Sequence, residues 1–294
     1  MDGLIELTDE MMPERYEPNW EALAEAGDSE AQFMEDAFYL LRETTHWFAI
    51  LTGLPLANPT IRNEAINRGL LVRITKLLRL TVRELHSQET FLQLGIARDV
   101  IETVATLFYL LDDTGDGARY DQYVMNSLIA EREMVRDIKS NIQSRNNSVL
   151  DIEERMMRSI ERTAAAAGID DVTSIPSRAQ VGFPNAEARV RLLGPSAYVA
   201  YRAGSSEVHG DWTDVYRNHL EYENGNFSPN FNSLHVRPQV PLMLARLSLE
   251  IVIRHLEKLT VSRDAVTVLL EPLKDLVERV KKVDLMHEEL LEGL

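Results

Sequence analysis

At 294 residues, with 45% hydrophobic and 27% charged side chains, the chain has a globular composition that fits one elongated helical domain or two small ones. A net charge of −16 disfavours nonspecific binding to nucleic acid, and the absence of cysteine removes disulfides and thiolate metal sites. Apolar runs such as LLVRITKLLRL and VATLFYLLDD are broken by charge before the roughly eighteen residues a membrane span needs, and MDGLIELTDE lacks a signal peptide's basic start, so a soluble, cytoplasmic protein is expected.

The acidity sits at the beginning. Residues 1 to 36 hold twelve Asp and Glu against one Arg, leaving about −5 for the remaining 258 residues. Residues 1–28 therefore read as an acidic N-terminal arm, solubilising and partly disordered; an arm that folds over a basic groove is the alternative. After the cap-like Asp28-Ser29, EAQFMEDAFYLLRETTHWFAILTG has helical periodicity and stops at Gly53 before Pro55. A second helix is expected from Pro59 to His86 with an interruption at Gly69, and a third from Ser87 to Asp112, closed by the loop DDTGDG.

On the second helix, Arg73, Lys76, Arg79 and Arg83 fall in one arc opposite Leu71, Ile74, Leu77, Leu78 and Leu85. That amphipathic pattern predicts a solvated cationic face; a surface that tracks phosphates or docks the acidic arm is the sharper reading. A fourth helix is expected over 118–144 and a fifth over 149–167, ending at Gly168. Breaker-rich text between Gly168 and Gly194 marks the internal joint, which divides the chain into a helical bundle at 29–168 and a C-terminal helical part at 169–294, packed as one unit with the first. Pro195 opens a short helix that Gly210 ends. ENGNFSPNFNSLHVRP reads as a long loop, followed by a helix over 238–259 and a last one interrupted at Pro272. The expected fold is all-α, a bundle of about eight or nine helices.

The short helix carries YRAGSSEVHG, in which Tyr198, Arg202, Ser205 and His209 recur at i, i+4, i+7 and i+11 and so share a face. All four side chains hydrogen-bond, and a buried polar face needs partners, since each unsatisfied group costs roughly 1–3 kcal/mol. Arg98 and Glu102, four apart in the apolar ARDVIETVATLFYLL, are the candidate partners: Glu102 would hold Arg202 or His209 while Arg98 balances the charge. Two readings stay open, a polar network that docks two helices and a network that lines a site.

The R-x-x-x-E of Arg98 and Glu102, followed about a hundred residues later by Tyr, Ser and a His-Gly pair, resembles the bacterial domain of unknown function 5677 over roughly residues 30–260. Separately, R-x6-H closing a helix before Gly is similar to the signature of HEPN domains, helical bundles many of which are metal-independent ribonucleases that work as dimers. The resemblance implies His209 as the base that takes the ribose 2′-hydroxyl proton, Arg202 as the phosphate clamp, and Tyr198 or Ser205 orienting substrate, with Arg98 and Glu102 beside them. It also implies RNA as substrate, a homodimer and a role in bacterial defence. Ala203 and Gly204 stand where HEPN ribonucleases usually carry a polar residue after the arginine. The alternative is a noncatalytic interaction or ligand-sensing protein in which the Arg/His/Tyr/Ser motif is structural.

No metal or cofactor is expected: H-E-x-x-H, a Walker loop and G-x-G-x-x-G are all missing, and the R-E-L-H at 83–86 lacks a matching E-x-x-H for a carboxylate-bridged metal pair.

Overall fold

The computed structural model describes residues 12–26, 29–53, 61–88, 93–232, 236–258 and 263–292. Residues 1–11 of the acidic arm, the Asp28 of the expected cap, the expected helix start at Pro59 and His235 lie outside the described residues. In chain order the helices are α1 (Trp20–Ala24), α2 (Ala31–Gly53), α3 (Arg62–Ser87), α4 (Gln93–Leu111), α5 (Ala118–Ser127), α6 (Ile129–Ser144) and α7 (Asp151–Ala166). They continue as α8 (Arg178–Val181), α9 (Ala186–Val190), α10 (Pro195–His209), α11 (Trp212–Asp214), α12 (Gln239–Lys258) and α13 (Arg263–Glu292). The fold is all-α, and among the described residues the one sheet is a two-stranded hairpin of β1 (Leu220–Glu223) and β2 (Asn226–Pro229). Short helices such as α1, α8 and α9 raise the number above the eight or nine expected.

Two compact units divide the chain, one made of residues 1–111 with 186–294 and the other of 112–185. The boundary at 185/186 falls within the breaker-rich stretch between Gly168 and Gly194.

In the first unit, the long helices bury apolar stripes at helical spacing. Phe33, Ala37, Leu40, Thr44 and Phe48 line one side of α2, and Leu71, Ile74 and Leu78 one side of α3. α4 is buried almost all round because α3, α12, α9 and α10 all pack on it, which is why VIETVATLFYLL lacks a polar face. α12 packs on α2, α4 and α13 through Leu242, Leu249 and Val252. The cationic arc of α3 is exposed as expected, with Arg73 held to Thr103 at 3.1 Å and to Asp99 at 3.5 Å. No helix among the described residues is long and apolar enough to cross a membrane.

Two expected interruptions are absent. α3 runs straight through Gly69, where an added Cβ would meet nothing within 4 Å, and α13 runs through Pro272. A proline inside a helix loses one backbone bond, and the buried side chains of Leu269, Leu273, Leu276 and Val280 on either side keep the helix in register.

The acidic arm is also not a free leader over residues 12–26. Arg279 on α13, almost fully buried, grips the Glu43 carboxylate of α2 with both terminal nitrogens, at 2.7 and 2.8 Å, and donates to the Tyr16 carbonyl. The Tyr16 amide donates to the same carboxylate at 2.9 Å, and its hydroxyl donates to buried Asp36 at 2.5 Å. Burial and that bond to Asp36 push the Tyr16 phenol well above its ordinary range. Lys282 lies 3.8 Å above the Trp20 ring, and Arg15 bonds Asp275 at 3.0 Å. The segment is a strap held to α2 and α13 by Arg279 and Lys282 of α13 and by its own Tyr16 and Arg15.

In the second unit, Tyr120, Val124, Ile138, Ile160, Val172 and Val181 form the core. The expected helix over 118–144 breaks at Leu128 into α5 and α6, although neither glycine nor proline marks the place. Arg132 on α6 closes the turn after α7 by donating to the carbonyls of Ile175 and Pro176 at 2.7 and 2.8 Å. The DDTGDG loop is shaped by Asp113, whose carboxylate accepts from the amides of Gly115, Gly117 and Arg119.

Candidate functional site

α10 begins at Pro195, after Gly194 with φ of 98°, and ends at Gly210 with φ of 58°, whose amide donates to the Ser206 carbonyl. Both limits match the sequence reading, and both rest on what glycine and proline do to the backbone. The helix crosses α4 at Gly204. An added Cβ there would lie 2.2 Å from the Leu94 carbonyl oxygen and 2.8 Å from the Cβ of Arg98, so only glycine permits this approach.

That crossing decides which side of α10 meets α4. Ala197, Tyr201 and Gly204 are buried on it. Arg98 donates to the Tyr201 hydroxyl at 3.4 Å, and its guanidinium stands 5.0 Å from the centre of that ring. Glu207 continues the same side and accepts from the Gly95 amide at 2.7 Å, at the start of α4, where free N–H groups favour a carboxylate. Burial raises the Glu207 pKa against the pull of that amide.

The predicted stripe lies on the flank of this contact, and its four members have different fates. Tyr198 donates to Glu187 at 2.9 Å beneath the Arg191 guanidinium, 3.8 Å from the ring centre. Ser205 donates back to the Tyr201 carbonyl at 3.1 Å, a bond within the helix. Arg202 and His209 are exposed, and neither forms a hydrogen bond or ion pair with another described residue. Their influence is felt at longer range. Glu187 is held below the usual carboxylate range by Arg191 and Tyr198, with Arg202 adding to the effect, and Asp211 by the Asp214 amide, with His209 adding to it.

The expected reach of Glu102 to Arg202 or His209 does not occur. Glu102 faces the buried Arg189 of α9 at 3.6 Å, and Arg98 is taken by Tyr201. The physical reason is the Gly204 crossing, which turns Tyr201 toward α4 and leaves Arg202, one residue or 100° further round, pointing away. So the structure brings Tyr198, Ser205, Arg202 and His209 onto one flank of α10, while Arg98 and Glu102 work in packing.

Beyond Gly210 the chain makes α11 and then a π-helical turn, Val215–His219. His219 Nε2 lies 3.4 Å from Asp214, which is buried and accepts from Asn218 at 2.8 Å. Sequence reading passed over Tyr201, Glu207 and Arg189, and took Gly204 only as a departure from the HEPN pattern. Of these only Gly204 carries a signal, a glycine at mid-helix beside Ala203, where a close backbone approach is the usual reason. Among the described residues no three His, Asp or Glu side chains gather as a metal site requires. A groove of about 700 Å³ lined by Met34, Phe38, Tyr39, Leu85 and Arg237 contains none of the six predicted residues.

The model of the family of unknown function DUF5677 matches residues 69–227, more than half of the chain. The chain belongs to this family. The matched span runs from α3 to β2 and takes in Arg98, Glu102, Tyr198, Arg202, Ser205 and His209. No curated protein and no solved structure matches the chain.

Proposed function

We infer that the chain is a HEPN-like ribonuclease that acts without a metal, as a homodimer, in bacterial defence. The observation that supports this reading is the exposure of Arg202 and His209 on one flank of a helix that Gly204 and Glu207 seat firmly on α4. A guanidinium without a carboxylate partner is available to grip two oxygens of a phosphate. An imidazole has one ring nitrogen that accepts a proton and another that donates one, so it serves as base or acid.

In the reaction, His209 takes the proton of a ribose 2′-hydroxyl as that oxygen forms a bond to the adjacent phosphorus. The bond from phosphorus to the 5′ oxygen breaks, and the departing oxygen takes a proton from water. Products are a cyclic phosphate and a 5′-hydroxyl. Arg202 holds the charged phosphate while this happens. His209 stands in the last turn of α10, just before the left-handed Gly210. Leu192 before α10 and Val199 on it are exposed apolar side chains that offer surface to a second protomer.

Two observations favour a noncatalytic interaction or ligand-sensing protein instead: Tyr198 and Ser205 are engaged within the chain, and Arg98 and Glu102 are used in packing. One experiment separates the readings. Incubation of a labelled RNA with purified protein, wild type and His209→Ala, is expected to give cleavage by the first and none by the second with melting unchanged. An intact RNA in both reactions, or a large fall in melting temperature for His209→Ala, overturns the nuclease reading.

A further inference from the structure

Just past the R-x6-H helix the chain exposes a run of aromatic rings. Trp212 is 63% exposed, Tyr216 43%, Tyr222 53% and Phe227 53%. The rings are joined in series, Tyr216 to Trp212 at 5.7 Å, Trp212 to Phe227 at 5.9 Å and Phe227 to Tyr222 at 4.6 Å between centroids. Tyr222 and Phe227 are opposite one another in the antiparallel register, so they share a face of the hairpin with Leu220 and Pro229. Glu221 and Glu223 alternate onto the other face. The ring face is thus free of the hairpin's carboxylates.

A two-stranded hairpin is marginal in water by itself, and a one-sided set of exposed rings stands out on a soluble surface. Its charge environment indicates what would cover it. Tyr216 and Arg217 ride on the π-helical turn, a device frequent at functional sites. Arg217 is exposed and forms no hydrogen bond or ion pair with another described residue. His209 is three residues before Trp212, within about 10 Å of chain. A flat, π-faced, anionic polymer satisfies both features: bases on the rings and phosphates on the free cations. Duplex RNA hides its base faces in the stack and would not. The platform itself presents rings and no branched aliphatic side chain apart from Leu220, which fits bases better than the side chains of a protein partner.

We propose that Trp212, Phe227 and Tyr222 form a stacking platform for unpaired bases of single-stranded RNA, with Arg217 on the phosphates and the strand continuing toward His209. The proposal rests on the reading that this chain acts on RNA, and it adds the form of RNA selected.

The test uses the full chain carrying His209→Ala, so that binding is measured without cleavage, and fluorescence anisotropy of three labelled dodecamers: oligouridylate, the same strand paired with oligoadenylate, and an abasic ribose-phosphate strand. Oligouridylate is expected to bind at least about tenfold more tightly than either of the others. Adding Trp212→Ala or Phe227→Ala weakens oligouridylate binding by about tenfold each and leaves the abasic strand unaffected, and Trp212→Phe restores most of the loss. Adding Arg217→Ala weakens both single strands and lowers the salt dependence by about one counterion.

Equal affinity for the three dodecamers, or ring variants that bind oligouridylate like their parent, overturns the platform. So does a ring-dependent change in sedimentation with no dependence on bases, which would assign the face to a protein partner. Melting curves check each variant, and Trp212→Phe keeps the test decisive where an alanine variant fails to fold. Ring-dependent binding together with intact RNA in the wild-type reaction supports the platform while it removes the nuclease assignment.

Discussion

Arg279 and Arg202 are the same residue type in the same compact unit, and the chain uses them in opposite ways. Arg279 is 5% exposed, and every arm of its guanidinium is occupied, by Glu43, Asp275 and the Tyr16 carbonyl. Arg202 is exposed on α10 and bonded to no other described residue. A buried charge must be matched by its surroundings or it costs several kcal/mol, and the matching fixes the geometry of α2, α13 and the strap. An exposed charge imposes no such demand and remains available to a ligand. The difference teaches that a cation is read as structural or functional from what already surrounds it, which neither residue type nor spacing reveals.

The largest break in the comparison should come from Arg279→Met, which leaves Glu43 buried without its partner. Urea denaturation is expected to show a loss of about 3–5 kcal/mol, most of it recovered when Glu43→Leu is added. A second sealed group is His255, which burial, and then Arg68, lower to a pKa of about 4 from 6.5. Between these values the unfolded chain binds a proton that the folded chain refuses, so stability falls as pH drops from 6.5 and levels off near 4. The full drop is about 3 kcal/mol, and His255→Leu should flatten it in melts compared across that range.

Gly204→Ala tests the seat of the exposed pair. The added methyl is forced against the Leu94 carbonyl, and a cost of about 1–3 kcal/mol is expected from thermal melts. The smallest effect belongs to the open cations themselves. Arg202→Ala and His209→Ala should each change stability by no more than about 0.5 kcal/mol. A larger loss for either would show that it is held from within and would remove the contrast with Arg279.

How much of this was legible in the sequence depended on whether the signal was local. The limits of α10 were readable because Pro195 and Gly210 act on their own backbone. The amphipathic face of α3 was readable because its cations and leucines keep one period. Gly69 and Pro272 were over-read as interruptions, since packing along α3 and α13 overrides a local preference. The β1/β2 hairpin was missed, although Asn224-Gly225 is a strong turn signal and both residues adopt positive φ, 51° and 84°. Its strands are only four residues long and stood in text that otherwise read as a loop. The partners of Arg98 and Glu102 were not readable at all. They depend on which side of α10 faces α4, and that side is set by a nonlocal contact at Gly204, with Arg189 arriving from α9.

The Gly204 crossing has a consequence for how the far end of α10 can vary. Because the Leu94 carbonyl occupies the space where a side chain would stand, α10 can neither roll nor slide on α4 without a collision, and everything after Gly204 inherits its heading from that notch. Inserting a single residue between Gly204 and His209 would swing the imidazole by a quarter turn or so while Arg202 stayed where it is. The exposed rings beyond Gly210 meet no such collision, so their surface changes without moving the mount that carries it.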